Sequence, residues 1–279
     1  MPLSVFLAVL LGAALHASWN AIVKGGDDKL LTTILIAAAS SLIAALALPF
    51  LSMPARASWP YLAASTVAQV IYFTLVASAY RAQDMSLAYP LMRGTAPVLV
   101  ALVGVLWLGE HLSPAAWTGV ALVSGGVLAM GAAARRAGGG RAGTIIALAN
   151  AGVIATYTLI DGAGVRLSGA PVSYAMWLFL LNGVPLVLWA VVTRPRALRA
   201  YARRNLGRGL VGGVGNLGSY GLALWAMTGA PVAVVAALRE TSILFGLAIA
   251  GLILREPVGR GRVLAAALIA LGAVSLRLA

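Results

Sequence analysis

The chain has no cysteine, which excludes a disulfide framework, thiolate chemistry and any cysteine-bound metal. Histidine occurs only at His16 and His111, which form no metal-binding spacing. Lysine occurs only at Lys24 and Lys29, and no GxxxxGK[ST] phosphate loop is present, so ATP hydrolysis by that route is excluded. No GxSxG, no HExxH and no paired carboxylates within an apolar run are present either. An enzyme is therefore not expected, nor any cofactor, catalytic residue or bound metal. Charge is scarce altogether: Asp, Glu, Lys and Arg make up 10 % of the chain, against about a quarter in soluble domains. A soluble fold could not cover itself with so few.

Apolar residues fill the space, at 61 %, with a mean hydropathy of +0.96 over 279 residues. They fall in uncharged runs near the ~20 residues that a helix needs to cross a bilayer core of about 30 Å. The runs are Met1–Val23, Leu30–Met53, Trp59–Tyr80, Ser86–Gly109, Leu112–Ala134, Ala142–Ile160, Leu167–Thr193, Gly209–Met227, Pro231–Leu254 and Val263–Leu276, the last extending to Gly259 if Arg260 and Arg262 snorkel. Ten runs leave only short connections. The chain reads as an all-α polytopic membrane protein of ten transmembrane helices with no soluble domain. The first run lacks a basic start and carries a polar stripe, as a retained helix would, not a cleaved signal.

Acidic residues number seven against twenty Lys and Arg, for a net charge of +13 and a pI of about 11.2. In a soluble protein this would suggest nucleic acid. Here loops facing anionic lipid account for it, and no nucleic-acid partner is expected. Fifteen basic residues lie in odd-numbered loops, six of them between Arg194 and Arg208, and three (Arg56, Arg166, Arg277) in even loops and termini. This asymmetry places the odd loops in the cytoplasm and both termini on the other side of a cell (inner) membrane. The stretch from Arg194 to Arg208 is expected along the inner membrane surface.

The two halves repeat. Ser86-Leu-Ala-Tyr-Pro-Leu-Met-Arg93-Gly-Thr95 parallels Val232-Ala-Val-Val-Ala-Ala-Leu-Arg239-Glu-Thr241, and Leu108-Gly-Glu110 parallels Leu254-Arg-Glu256, both at an offset of 146. Gln69-x-x-Tyr72-Phe73 parallels Asn216-x-x-Ser219-Tyr220, and Ser18-Trp19-Asn20 parallels Thr156-Tyr157-Thr158. Five passes is an odd number, so the second unit enters the membrane from the opposite side. Two inverted five-helix repeats are expected, 1–134 and 143–279, joined by a basic cytoplasmic linker at 135–142.

Charge inside a span is costly and marks candidate sites. Arg93 lies seven residues into its run, about 10 Å deep, and Arg239 at a similar depth in its own. Either they bind an anionic group of a substrate, or they satisfy helix-end carbonyls or pair with Glu240. Glu240 is either a proton carrier or such a partner. His16, Trp19 and Asn20 share one helical face, and Tyr157 and Asp161 lie on the related face of span six. Gln69 and Tyr72 on span three, Asn216 and Tyr220 on span eight, and Tyr89 one turn before Arg93 complete the candidate substrate-binding set. Asp161 joins Glu240 as a candidate for ion or proton coupling, although its place near a span end, like that of Lys24, favours the interface. Glu110-His-Leu-Ser113-Pro114 reads as a hairpin with a Ser cap and a helix-opening Pro, so Glu110 and Glu256 are expected to be structural. Spans five and ten carry Gly119, Gly125, Gly126 and Gly272, suited to close packing or a homodimer contact.

The repeated ends Leu108-Gly-Glu110-His-Leu-Ser-Pro114 and Leu254-Arg-Glu256-Pro257, with Leu15-His16-Ala-Ser-Trp19-Asn20, resemble the EamA family of the drug/metabolite transporter superfamily over nearly the whole chain. Arg255 stands where the family pattern has glycine. His16-Ala-Ser-Trp19-Asn20-Ala-Ile-Val-Lys24 also resembles permeases found with phosphonate-degradation genes. The resemblance implies transport of small organic metabolites such as amino acids or phosphonates, with export favoured. A lipid flippase or a permease subunit of a larger system is the alternative.

Overall fold

The computed structural model describes residues 1–82, 85–134, 140–253 and 259–279. Eleven α-helices form among them: α1 (Leu3–Lys24), α2 (Lys29–Ala47), α3 (Trp59–Ala82), α4 (Met85–Trp107), α5 (Pro114–Ala134), α6 (Arg141–Ser168), α7 (Pro171–Thr193), α8 (Pro195–Ala226), α9 (Val232–Arg239), α10 (Ser242–Ala248) and α11 (Arg260–Leu278). The described residues contain no strand. Nine segments are long and apolar enough to cross a membrane, α9 and α10 counting together as Val232–Leu252. The tenth expected run, Gly209–Met227, is helical too, as the last part of α8. Six glycines and Asn216 dilute its apolarity.

Local chemistry sets the boundaries. Asp28 caps α2, its carboxylate accepting the Leu31 N–H at 3.0 Å. Ser113 accepts the Ala116 N–H at 3.1 Å ahead of Pro114, as the sequence predicts. Gly109 (φ 63°) and Gly169 (φ 62°) take the left-handed conformation that ends α4 and α6. Two expectations change. Span six was expected to stop at Ile160, but α6 runs on to Ser168, so Leu167 closes this helix and does not open span seven. Asp161 and Arg166, which end the apolar run, find polar partners inside the protein. Span eight was expected to open at Gly209, but the arginine-rich stretch before it is already helical from Pro195. It opens α8 and breaks from the spanning part at Asn205 (φ −123°, ψ 16°). Arg135, Arg136, Arg255, Glu256 and Pro257 lie outside the described residues.

Packing interleaves the halves. The largest contacts join α5 to α11, α3 to α6, α1 to α8, and α2 to α7 and α8, while α4 lies against α5 and α6 and α1 against α9 and α10. Large apolar side chains point outward, including Leu3, Leu7 and Leu11 one helical turn apart on α1, while Val5, Val9 and Ala13 face inward. Such a surface suits hydrocarbon, not water. Between α5 and α11, Gly126 and Gly272 let the backbones touch: a Cβ on Gly272 would lie 2.8 Å from Val123 N, and one on Gly126 2.8 Å from Ala265 O. The chain ends meet, Arg277 Nη1 donating to the Met1 carbonyl at 2.6 Å.

Candidate functional site

The ninth span is broken. The chain makes a tight turn at Glu240–Thr241 between α9 and α10: the Glu240 N–H bonds to Ala237 O at 3.0 Å, Thr241 N–H to Leu238 O at 3.0 Å, and the Thr241 hydroxyl to the same carbonyl at 2.6 Å. These contacts satisfy carbonyls that the interruption frees. A π-helical segment, Ile249–Ile253, follows α10. The related α4 stays continuous through Pro90 and Pro97. A discontinuous span puts backbone polarity and charge in the middle of the bundle, where transporters build sites.

Arg93 crosses from α4 to this break. Its Nε donates to Glu240 Oε2 at 3.0 Å and its Nη2 lies 2.7 Å from Oε1, a two-pronged pair. Both residues are buried, at 7 % and 4 % exposure. Of the two readings open for Glu240, the geometry shows the ion pair.

Arg239, next in the chain, is half-buried and has no carboxylate within ion-pair distance among the described residues. Its guanidinium lies over the ring of Tyr220, 4.6 Å from the centroid. The hydroxyl of that tyrosine donates to Asp161 Oδ2 at 2.6 Å. Tyr174 donates to Oδ1 at 3.3 Å. Gln69 Nε2 donates to Ser65 Oγ at 3.2 Å. Asp161 is 0 % exposed, so its expected interfacial place is corrected to the interior. Two neutral hydroxyl donors make that burial tolerable.

Most candidate residues gather here. Arg93 and Arg239 both act electrostatically on His16, Tyr72, Tyr89 and Tyr157. Tyr72 stands edge-on to Tyr157, ring centroids 5.8 Å apart, and His16 edge-on to Trp19 at 5.2 Å. The Trp19 indole N–H is enclosed without an acceptor. Two candidates are engaged elsewhere. Asn20 is exposed and bonds back to the His16 carbonyl at 2.8 Å. Asn216 donates to Ser40 Oγ at 3.2 Å, and Ser40 in turn to Gly213 O, which fastens α8 to α2. Tyr174 is a functional candidate that the sequence reading missed. A buried aspartate demands donors, and that demand was the available signal.

Glu110 sits in the expected hairpin, and its side chain also makes contacts distant in sequence. Its carboxylate reaches the start of α9, accepting the N–H groups of Val232 at 2.7 Å and Ala233 at 3.4 Å. Arg166 Nη2 pairs with it at 2.8 Å, while the same guanidinium donates to Met227 O and Ala230 O.

Residues 141–278 match the family described as EamA-like transporter family, and residues 30–123 match the family described as Small Multidrug Resistance protein. No curated protein matches the chain. A solved structure, titled only "Crystal structure of protein", is 18 % identical with a TM-score of 0.76 over 100 % of this chain and 98 % of that one, so it shares the fold.

Proposed function

From the premise that residues 141–278 belong to the EamA-like transporter family, and that the chain is a membrane transporter of the drug/metabolite type, we propose a secondary transporter of small organic metabolites that works by alternating access. Its substrate carries an anionic group, as an amino acid or a phosphonate does. The observation that carries this reading is Arg239: a half-buried cation on an aromatic face, beside a helix break, with no carboxylate of its own. A guanidinium so placed makes no direct ion pair among the described residues and has donors left for an anion. The enclosed Trp19 N–H, close to His16, offers a second donor.

The helix pairings support inverted repeats. Exchange α1–α5 for α6, α7, α8, the broken α9–α10 span and α11. Then α3–α6 becomes α8–α1, α4–α6 becomes the broken span against α1, and α2–α7 and α5–α11 map onto themselves. The meeting of Met1 and Arg277 supports ten passes over nine, since an odd number would part the termini. Loop charge supports placing those termini outside the cytoplasm. Rocking of one repeat against the other would expose the arginine region to each side in turn, with export the direction that family resemblance favours.

The test compares metabolites in medium and cells with and without the gene, then reconstitutes the purified protein in liposomes loaded with the enriched compounds. Movement of an anionic or zwitterionic solute without ATP, lost in Arg239→Gln, supports the reading. Scrambling of labelled lipid with no solute flux would replace it by a flippase.

A further inference from the structure

We propose that Asp161, and not Glu240, carries the coupling proton, and that Tyr220 links this proton to the anion held at Arg239. This rests on the anion site proposed above and adds its coupling ion and stoichiometry.

The two buried carboxylates differ in what their protonation would disrupt. Glu240 is held by two charge-assisted contacts from Arg93. Protonating it would strand a buried guanidinium, a heavy penalty in a dry site. Asp161 is hydrogen-bonded by neutral donors alone, Tyr174 and Tyr220. Protonating it breaks no direct ion pair. A phenol hydroxyl that donates to the carboxylate can turn to accept from the acid, since such a hydroxyl both gives and receives hydrogen bonds.

Charge balance then ties the proton to the substrate. Groups act on Asp161 from every side: Tyr157 on its own helix, Tyr174 on α7, Tyr220 on α8 and Arg239 on α9. Arg93 of α4 is already neutralised by Glu240, and Tyr72 of α3 stands against Tyr157. With Asp161 ionised, its charge offsets Arg239 across the Tyr220 ring. A monoanion arriving at Arg239 leaves one negative charge in excess within a low-dielectric interior. One proton on Asp161 restores neutrality, so proton and anion bind together. Tyr220 is the shared element: its ring carries the guanidinium at 4.6 Å and its hydroxyl the carboxylate at 2.6 Å. One anion and one proton cross in the same direction, so an outward substrate gradient drives export with an accompanying proton.

The experiment follows the infrared band of a protonated carboxylic acid in the purified full-length protein during pH titration, without ligand. The band should vanish in Asp161→Asn and persist in Glu240→Gln. A band lost in Glu240→Gln and kept in Asp161→Asn overturns the assignment, as does a protein with no titrating band. Methylphosphonate, kept below its second pKa as the monoanion, and acetate then serve as anion-bearing probes, with binding read by calorimetry. Wild type should take up one proton per bound anion. Tyr220→Phe, which leaves Asp161 in place, should bind with at least a several-fold smaller proton uptake. Binding with no proton uptake in wild type overturns the coupling. A titrating Asp161 band with neither probe bound, and no anionic solute in the flux screen, counts instead against the anion site.

Discussion

The carboxylate of Glu110 accepts the backbone N–H of Val232 at 2.7 Å, so the first half of the chain caps the first helix of the broken span in the second. Arg166 completes the clamp from the end of α6. Loss of the carboxylate charge in Glu110→Gln weakens a charged cap and leaves Arg166 with carbonyls alone. The expected cost is about 1–3 kcal/mol, read as a lower midpoint of thermal unfolding in detergent. An unchanged midpoint would show that the clamp contributes nothing.

Either half of the Arg93–Glu240 pair removed alone should be costly, about 3–5 kcal/mol, because the remaining charge stays buried. The double variant Arg93→Met with Glu240→Gln should be less destabilised than the sum of the two singles. Denaturation of all three in one detergent gives the coupling energy, and simple additivity would refute the pairing.

Arg239 has a different signature. It has no ion-pair partner among the described residues, so Arg239→Gln should keep the unfolding midpoint within about 1 kcal/mol of wild type while solute flux falls at least tenfold. Arg239→Lys should recover part of the flux, since it keeps the charge and loses the flat guanidinium that rests on Tyr220. Flux assays in liposomes beside thermal melts separate the two effects.

Topology can be read without function, in a chain that has no native cysteine. Exposed Ala200 lies in the arginine-rich start of α8 and exposed Met53 between α2 and α3. A membrane-impermeant maleimide should label Met53→Cys in whole cells and Ala200→Cys only in inside-out vesicles. The reverse pattern would invert the orientation drawn from loop charge.

Helicity, the apolar spans and the positions of in-span charge were legible in the sequence because lipid imposes simple rules: long runs without charge, and charge only where something compensates it. Arg93, Arg239 and Glu240 were located this way, as were the tyrosines around them. What was not legible is what depends on partners distant in sequence. Asp161 and Arg166 looked like the end of a span because no local residue answers them. Tyr174 and Tyr220 answer the first, and Glu110 with two carbonyls answers the second, across the fold. Asn216, matched to Gln69 by repeat position, turned out to bind a serine on α2, since repeat position alone does not fix which neighbour a side chain finds.

At Gly126 and Gly272 the main chains of α5 and α11 lie against each other with almost nothing between them. Val123, Ile269 and Leu276 fill the rest of the seam, so backbone and side chains leave no room there for an added group. In the alternating-access reading this seam would be the axle about which the other helices swing. A single methyl group at Gly272 would jam it, and Gly272→Ala should lower the melting temperature.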